Sequence, residues 1–132
     1  MIGLVIVTHG GLATEFRAAL EHIVGPQSQL ETVAIGPEDD MAQRRGDILD
    51  AVKRADTGEG VIVLTDMFGS TPSNIATALK RDNERVTVIA GVNLPMLVRL
   101  MNYPRLNISQ LKDKALSGGR EGIFSCGPEG ED

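Results

Sequence analysis

The sequence predicts an α/β fold, a doubly wound and mostly parallel central sheet with helices on both faces. Two observations carry this. Short β-branched runs alternate with longer segments of helical period along the whole chain, the signature of repeated strand–helix–strand units. Residues 2–7 and 61–64 are apolar at every position, as expected of central parallel strands covered on both faces. Crossovers in such sheets are right-handed. With the second strand outside the first and the fourth outside the third, the strand order reverses between strands one and three.

The elements run in order along the chain. After the strand at 2–7, Leu12, Phe16, Leu20 and Ile23 recur at helical spacing, and Gly25-Pro26 stops that helix. Residues 31–35 form a second strand. Pro37-Glu38-Asp39-Asp40 supplies an acidic helix start, and Ile48, Leu49, Val52 and Ala55 make the next buried stripe. Residues 61–64 are the third strand. Thr71 is the expected N-cap of the following helix, with Pro72 at its first position and Ile75, Ala76 and Leu79 on its inner face. Residues 85–90 form a fourth strand, followed by a Pro95-led helix carrying Leu97, Val98 and Met101. Ser109 is the expected cap of a last helix through Leu111, Ala115 and Leu116, ended by Gly118-Gly119. A short final strand is expected at 123–126. Residues 1–126 are expected to form a single domain, and 127–132 a disordered tail.

Composition narrows the function. With 132 residues and 42% hydrophobic content, the chain can bury one ordinary core without disulfides or metal. The net charge is -5, and Trp is absent with one Tyr and three Phe. A basic footprint for nucleic acid is therefore missing, as are aromatic platforms for bases. The lone Cys126 excludes an internal disulfide or a cysteine-rich metal site. No apolar run approaches the ~20 residues needed to span a bilayer, and the N-terminal strand lacks the basic leader of a signal peptide. A cytoplasmic protein is expected.

Chemistry is expected at His9 and Asp66. Ligands of open α/β sheets bind beyond the carboxyl ends of strands, where the strand order reverses. His9 ends the first strand and Asp66 follows the third. Neighbouring strands lie about 4.8 Å apart, so the two side chains are placed to hydrogen-bond. An aspartate on one imidazole nitrogen fixes the tautomer and leaves the other as a nucleophile. Gly10 and Gly11 let backbone N–H groups approach an anion at one helix start, while Ser70 and Thr71 offer hydroxyls at another. Each piece has a plain structural alternative. A strand-end histidine is often merely exposed, Asp66 suits a turn, Thr71 a cap, and Gly10-Gly11 close helix packing. His22 falls off the apolar stripe and reads as a surface residue. Arg44-Arg45 and Lys53-Arg54 read as a solvated helix face.

Four blocks occur in order: Thr8-His9-Gly10, Asp66-Met67-Phe68-Gly69-Ser70-Thr71-Pro72-Ser73-Asn74, Ala90-Gly91-Val92-Asn93-Leu94-Pro95-Met96-Leu97 and Gly119-Arg120-Glu121-Gly122. Together they closely resemble the mannose-family (type-4) IIA component of the bacterial phosphoenolpyruvate-dependent sugar phosphotransferase system. The resemblance implies a phosphoryl carrier with no cofactor and no metal. It implies that His9 receives phosphate at Nε2 from the phosphocarrier HPr and passes it to a separate IIB protein. Asp66 then orients His9, and Thr71 matches a serine near the phosphoryl group. Phe68 stands where the best-known members have Trp, and Ser70 where they have Gly. The resemblance further implies a homodimer that exchanges the C-terminal strand around 123–126, and indirect membrane association through a IIC/IID permease.

The other readings are a carrier subunit for dihydroxyacetone kinase on the same fold, and a phosphorylation-dependent regulatory module without a permease. A histidine phosphatase would need arginine at Thr8 to clamp phosphate. A flavodoxin-like nucleotide binder would need a longer phosphate cradle after the first strand.

Overall fold

The computed structural model describes residues 1–127. Its elements are β1 (Gly3–His9), α1 (Leu12–Val24), β2 (Leu30–Ile35), α2 (Met41–Ala55), β3 (Val61–Thr65), α3 (Thr71–Arg81), β4 (Val86–Ala90), α4 (Leu94–Met101) and α5 (Ile108–Glu121). The four strands make one parallel sheet in the order β2-β1-β3-β4. The expected reversal between the first and third strands is therefore present. All of β3 is buried and so is β1 up to His9, whereas the edge strands β2 and β4 are only partly buried. That difference is why only the central pair is apolar at every position.

Two cores form because side chains alternate across the sheet. Leu4, Ile6, Ile62 and Leu64 point to one face, where they meet Leu20 of α1, Leu97 of α4 and Leu111 of α5. Val5, Val7, Val61 and Val63 point to the other, against Ile48 and Val52 of α2 and Ile75 of α3. Ile6 and Val63 are fully enclosed, and each such side chain contributes on the order of 1.5–3 kcal/mol.

Several local expectations are corrected. The inner stripe of α1 is Ala13, Phe16, Leu20 and Val24, while Leu12 and Ile23 are exposed. The hydroxyl of Thr8 accepts the N–H of Ala13 and so turns Ala13, not Leu12, toward the sheet. The cap of α3 is Ser70, one residue before the expected Thr71, which is the first helical residue. The cap of α5 is Asn107, not Ser109; it forms a capping box with Gln110, which satisfies two otherwise unpaired amides.

Gly118-Gly119 does not end α5, which runs on to Glu121. Both glycines face α4: a Cβ on Gly118 would lie 2.5 Å from Cβ of Arg99, and one on Gly119 2.8 Å from Cε of Met96. They are contact residues between closely packed helices, not a terminator. The short strand expected at 123–126 is not formed within the single chain, where this segment pairs with no strand. Ile123 and Phe124 project into solvent there. Of the tail expected at 127–132, all but Gly127 lies outside the described residues.

Candidate functional site

The site is built where β1 ends. Thr8 is fully buried and its side chain points toward α1, whose Ala13 N–H it accepts at 2.7 Å. Alternation then turns His9 to the opposite face. Gly10 has a φ of 51°, the left-handed region that glycine occupies without a Cβ penalty. That conformation lets the chain leave the sheet and enter α1 at once.

Asp66, one residue beyond β3, reaches His9 across the central strand pair. A single carboxylate oxygen, Oδ2, lies 2.8 Å from His9 Nδ1 and accepts the backbone N–H of His9 at 3.1 Å. Gripping both ring and backbone of one residue leaves the imidazole little rotational freedom. An ionised carboxylate only accepts, so Nδ1 must carry the proton in this contact. Nε2 of the neutral ring then holds the lone pair. The His9 side chain is 52% exposed and Asp66 only 13%, so the nucleophile faces solvent while its partner is sheltered. Burial works against ionisation of Asp66 more than any other single influence. The hydrogen bonds from the His9 ring and backbone lead the influences that outweigh it and hold the carboxyl below its ordinary value.

His9, Gly10 and Thr71 share a hollow of about 540 Å³ with Ile35, Gly36, Pro37, Asp39 and Met41. Thr71 is exposed at the first position of α3, its hydroxyl available to an anion. Two expected contacts fall away. The Gly10 N–H donates to the Ile35 carbonyl at 2.8 Å, extending the ladder between β1 and β2, and the Ser70 hydroxyl donates to the Met67 carbonyl. Neither donor is free for a ligand. Gly11 lies at the start of the first helix, as the N-cap of α1. The amides of Gly11 and Leu12 have no acceptor among the described residues, so this helix start can receive an anion.

Sequence reasoning missed the wall formed by the loop into α2. Asp39 clasps that loop: it accepts the Gly36 N–H at 2.7 Å and Nε of Arg44 at 2.9 Å. The Gly36 hydrogen bond is the largest influence on its carboxyl, burial opposes it, and Arg44 helps hold it below its ordinary value. The signal was available, since a parallel β2 must end on the same side as β1 and β3. The hollow that His9 lines is therefore bordered by the first residues of α2 and α3, Met41 and Thr71. Among the described residues no cluster of three or more His, Cys, Asp or Glu is arranged to hold a metal ion. The arrangement suits a reversible, charge-stabilised attack by a neutral imidazole on a phosphoryl group.

Comparison with known proteins places the chain in a family. The profile of the family EIIA-man, described as the fructose IIA component of the phosphotransferase system (PTS), matches residues 3–116. The chain belongs to the EIIA-man family. It is thus a PTS IIA component of the mannose, sorbose and fructose type, a family of phosphotransferase components. YadI of Escherichia coli (strain K12), whose name places it provisionally among phosphotransferase enzyme IIA components, is 39% identical over 103 residues. Those residues are 76% of this chain and 69% of YadI. The PTS mannose-specific EIIAB component of the same strain is 32% identical over 124 residues, which are 92% of this chain and 38% of that longer protein. Among solved structures, the mannose/sorbose-specific IIA subunit of the phosphotransferase system from Enterococcus faecalis superposes with a TM-score of 0.85 at 26% identity. The superposition covers 94% of this chain and 93% of that one.

Proposed function

We propose that His9 is the phosphoryl acceptor of this PTS component. The Nε2 lone pair attacks the phosphorus of phospho-HPr. The phosphorus–nitrogen bond of the donor histidine breaks as the bond to Nε2 forms, and the donor ring leaves neutral. His9 then carries the phosphoryl on Nε2 and its proton on Nδ1, a cationic ring facing the carboxylate of Asp66. The reverse sequence delivers the phosphoryl to a separate IIB protein. Asp66 positions the ring and stabilises the cation, while Thr71 and the first amides of α1 steady the phosphoryl oxygens. The transfer requires positioning and charge, with no cofactor.

One observation carries the reading: Oδ2 of Asp66 bonds both Nδ1 and the backbone N–H of His9, leaving Nε2 as the exposed nucleophile. A half-exposed His9 lining an open hollow fits partners that are themselves proteins. The projecting Ile123 and Phe124 fit a segment that is covered in a homodimer. No described helix is long and apolar enough to cross a membrane, and the proposed work with HPr places the protein in the cytoplasm.

The test is incubation with phosphoenolpyruvate, Enzyme I and HPr of the same organism, followed by intact-mass and peptide analysis. One acid-labile phosphoryl on the His9 peptide, absent without HPr and absent in His9→Ala, is the expected result. Phosphate on folded His9→Ala would overturn the assignment.

A further inference from the structure

β1 pairs with β3 only as far as Val7 and Thr65, two residues short of His9. The Gly3 N–H donates to the Gly60 carbonyl ahead of β3, so alternate residues of β1, His9 among them, turn their backbone groups to that side. The His9 groups that would continue this ladder meet side chains instead. Its N–H goes to Oδ2 of Asp66 at 3.1 Å, and its carbonyl accepts the Thr8 hydroxyl at 3.3 Å. The backbone that carries the imidazole is thus tied on both sides of its Cα.

The same Thr8 oxygen accepts the N–H of Ala13, the second residue of α1, at 2.7 Å. One buried hydroxyl, donating once and accepting once, therefore spans the turn through Gly10 and Gly11 and joins His9 to the helix. A helix start is ordinarily capped by the side chain at its N-cap, but Gly11 has none. Thr8 supplies the cap from the core side. No capping side chain then competes with an anion for the amides of Gly11 and Leu12, which have no acceptor among the described residues. Thr8 is also the one buried polar side chain in β1. Burial alone would be met by valine, which the strand uses at Val5 and Val7.

We propose that Thr8 is a positioning residue for the phosphoryl transfer: its hydroxyl fixes the His9 backbone against the start of α1, so that the ring and the amides of Gly11 and Leu12 keep one geometry toward the phosphoryl group. The inference rests on the phosphoryl-carrier reading above and adds a residue to it. Thr8 is fully buried, so it touches neither the phosphoryl group nor a partner protein and acts only through His9 and α1. Its loss should slow the transfer step and leave the encounter with the donor unchanged.

The experiment is rapid-quench transfer from phospho-HPr to the full chain in wild type, Thr8→Val and Thr8→Ser, with urea unfolding as the check of the fold. Thr8→Val keeps the bulk and loses both hydrogen bonds. Its kcat should fall about tenfold with KM for phospho-HPr unchanged, and Thr8→Ser should recover kcat to within about threefold of wild type. Amide hydrogen exchange on the wild type gives a readout that needs no variant to fold. The Ala13 amide should be protected with or without phosphate on His9, whereas those of Gly11 and Leu12 should exchange fast and slow down only on phosphorylation. A folded Thr8→Val with kcat within about twofold of wild type would overturn the proposal. So would an equal loss in Thr8→Ser, which would place the effect in the packing of the methyl group. A raised KM at unchanged kcat would also overturn it, by making Thr8 a support of the docking face. If Thr8→Val does not fold, an Ala13 amide that exchanges as fast as that of Leu12 overturns the proposal instead. Wild-type His9 that takes no phosphate from phospho-HPr would strike the carrier reading itself, separately from the Thr8 tie, which Ala13 exchange reports in the unphosphorylated protein.

Discussion

Replacing Asp66 by Asn isolates its charge from its shape. Asn retains an oxygen that can still accept the backbone N–H of His9, which Asp66 holds at 3.1 Å, but it offers no negative charge to the phosphorylated ring. Charges about 4 Å apart interact by roughly 4 kcal/mol at an effective dielectric of 20 and about 1 kcal/mol in water. His9 is half-exposed and Asp66 mostly sheltered, so the interaction falls between these limits, at about 2 kcal/mol. At 1.36 kcal/mol per decade this corresponds to a rate about 30-fold lower. Rapid-quench transfer from phospho-HPr would measure it, with urea unfolding as the check that the fold survives. A rate within threefold of wild type in a folded Asp66→Asn protein would refute the electrostatic role.

Two glycines in helices should respond oppositely to Ala. Gly118→Ala places a Cβ 2.5 Å from Cβ of Arg99 and should destabilise by about 1–3 kcal/mol. Gly46→Ala, in α2 with nothing within 4 Å, should stabilise by about 0.5–1 kcal/mol; urea midpoints that moved in the same direction would refute the packing argument. Acid should also weaken the fold in a defined direction. Asp56 accepts two hydrogen bonds from Arg85 as well as the N–H groups of Gly58 and Gly60. The Arg85 hydrogen bonds lower its carboxyl most, burial opposes them, and the net position is below 3.8. A carboxyl lowered on folding contributes stability above its unfolded value and loses it as pH falls through the folded one. Stability should therefore drop below about pH 4, and Asp56→Asn should be less stable at pH 7 with a flatter acid limb. Parallel pH profiles for the two proteins would remove Asp56 from the acid response.

The layered architecture and the central pair His9 and Asp66 were legible in the sequence for one physical reason. A parallel strand covered on both faces must be apolar at every position, so residues 2–7 and 61–64 identify themselves as neighbours. The residues just beyond these two strands, His9 and Asp66 among them, must then emerge at the same end of the sheet. Within helices the signal weakened. Leu12 and Ile23 have the chemistry of core residues and the right spacing, but the hydrogen bond from the Ala13 amide to the Thr8 hydroxyl turns Ala13 inward and leaves them exposed. Gly118-Gly119 has the composition of a helix terminator, yet the nearness of α4 makes it a contact.

The chain's own pattern thus determined the fold class, the strand order and the meeting of one imidazole with one carboxylate. Only the tertiary structure decided which donors remain available. Gly10 commits its N–H to Ile35 and Ser70 its hydroxyl to Met67, whereas Thr71 stays exposed beside His9 in the shared hollow. It also decided that the loop into α2 walls the hollow with Asp39 and Met41. Hydrophobic period is a local property repeated along the chain, and a sequence displays it directly. Whether a given donor is already satisfied depends on distant segments brought within about 3 Å of it, and that is settled by packing.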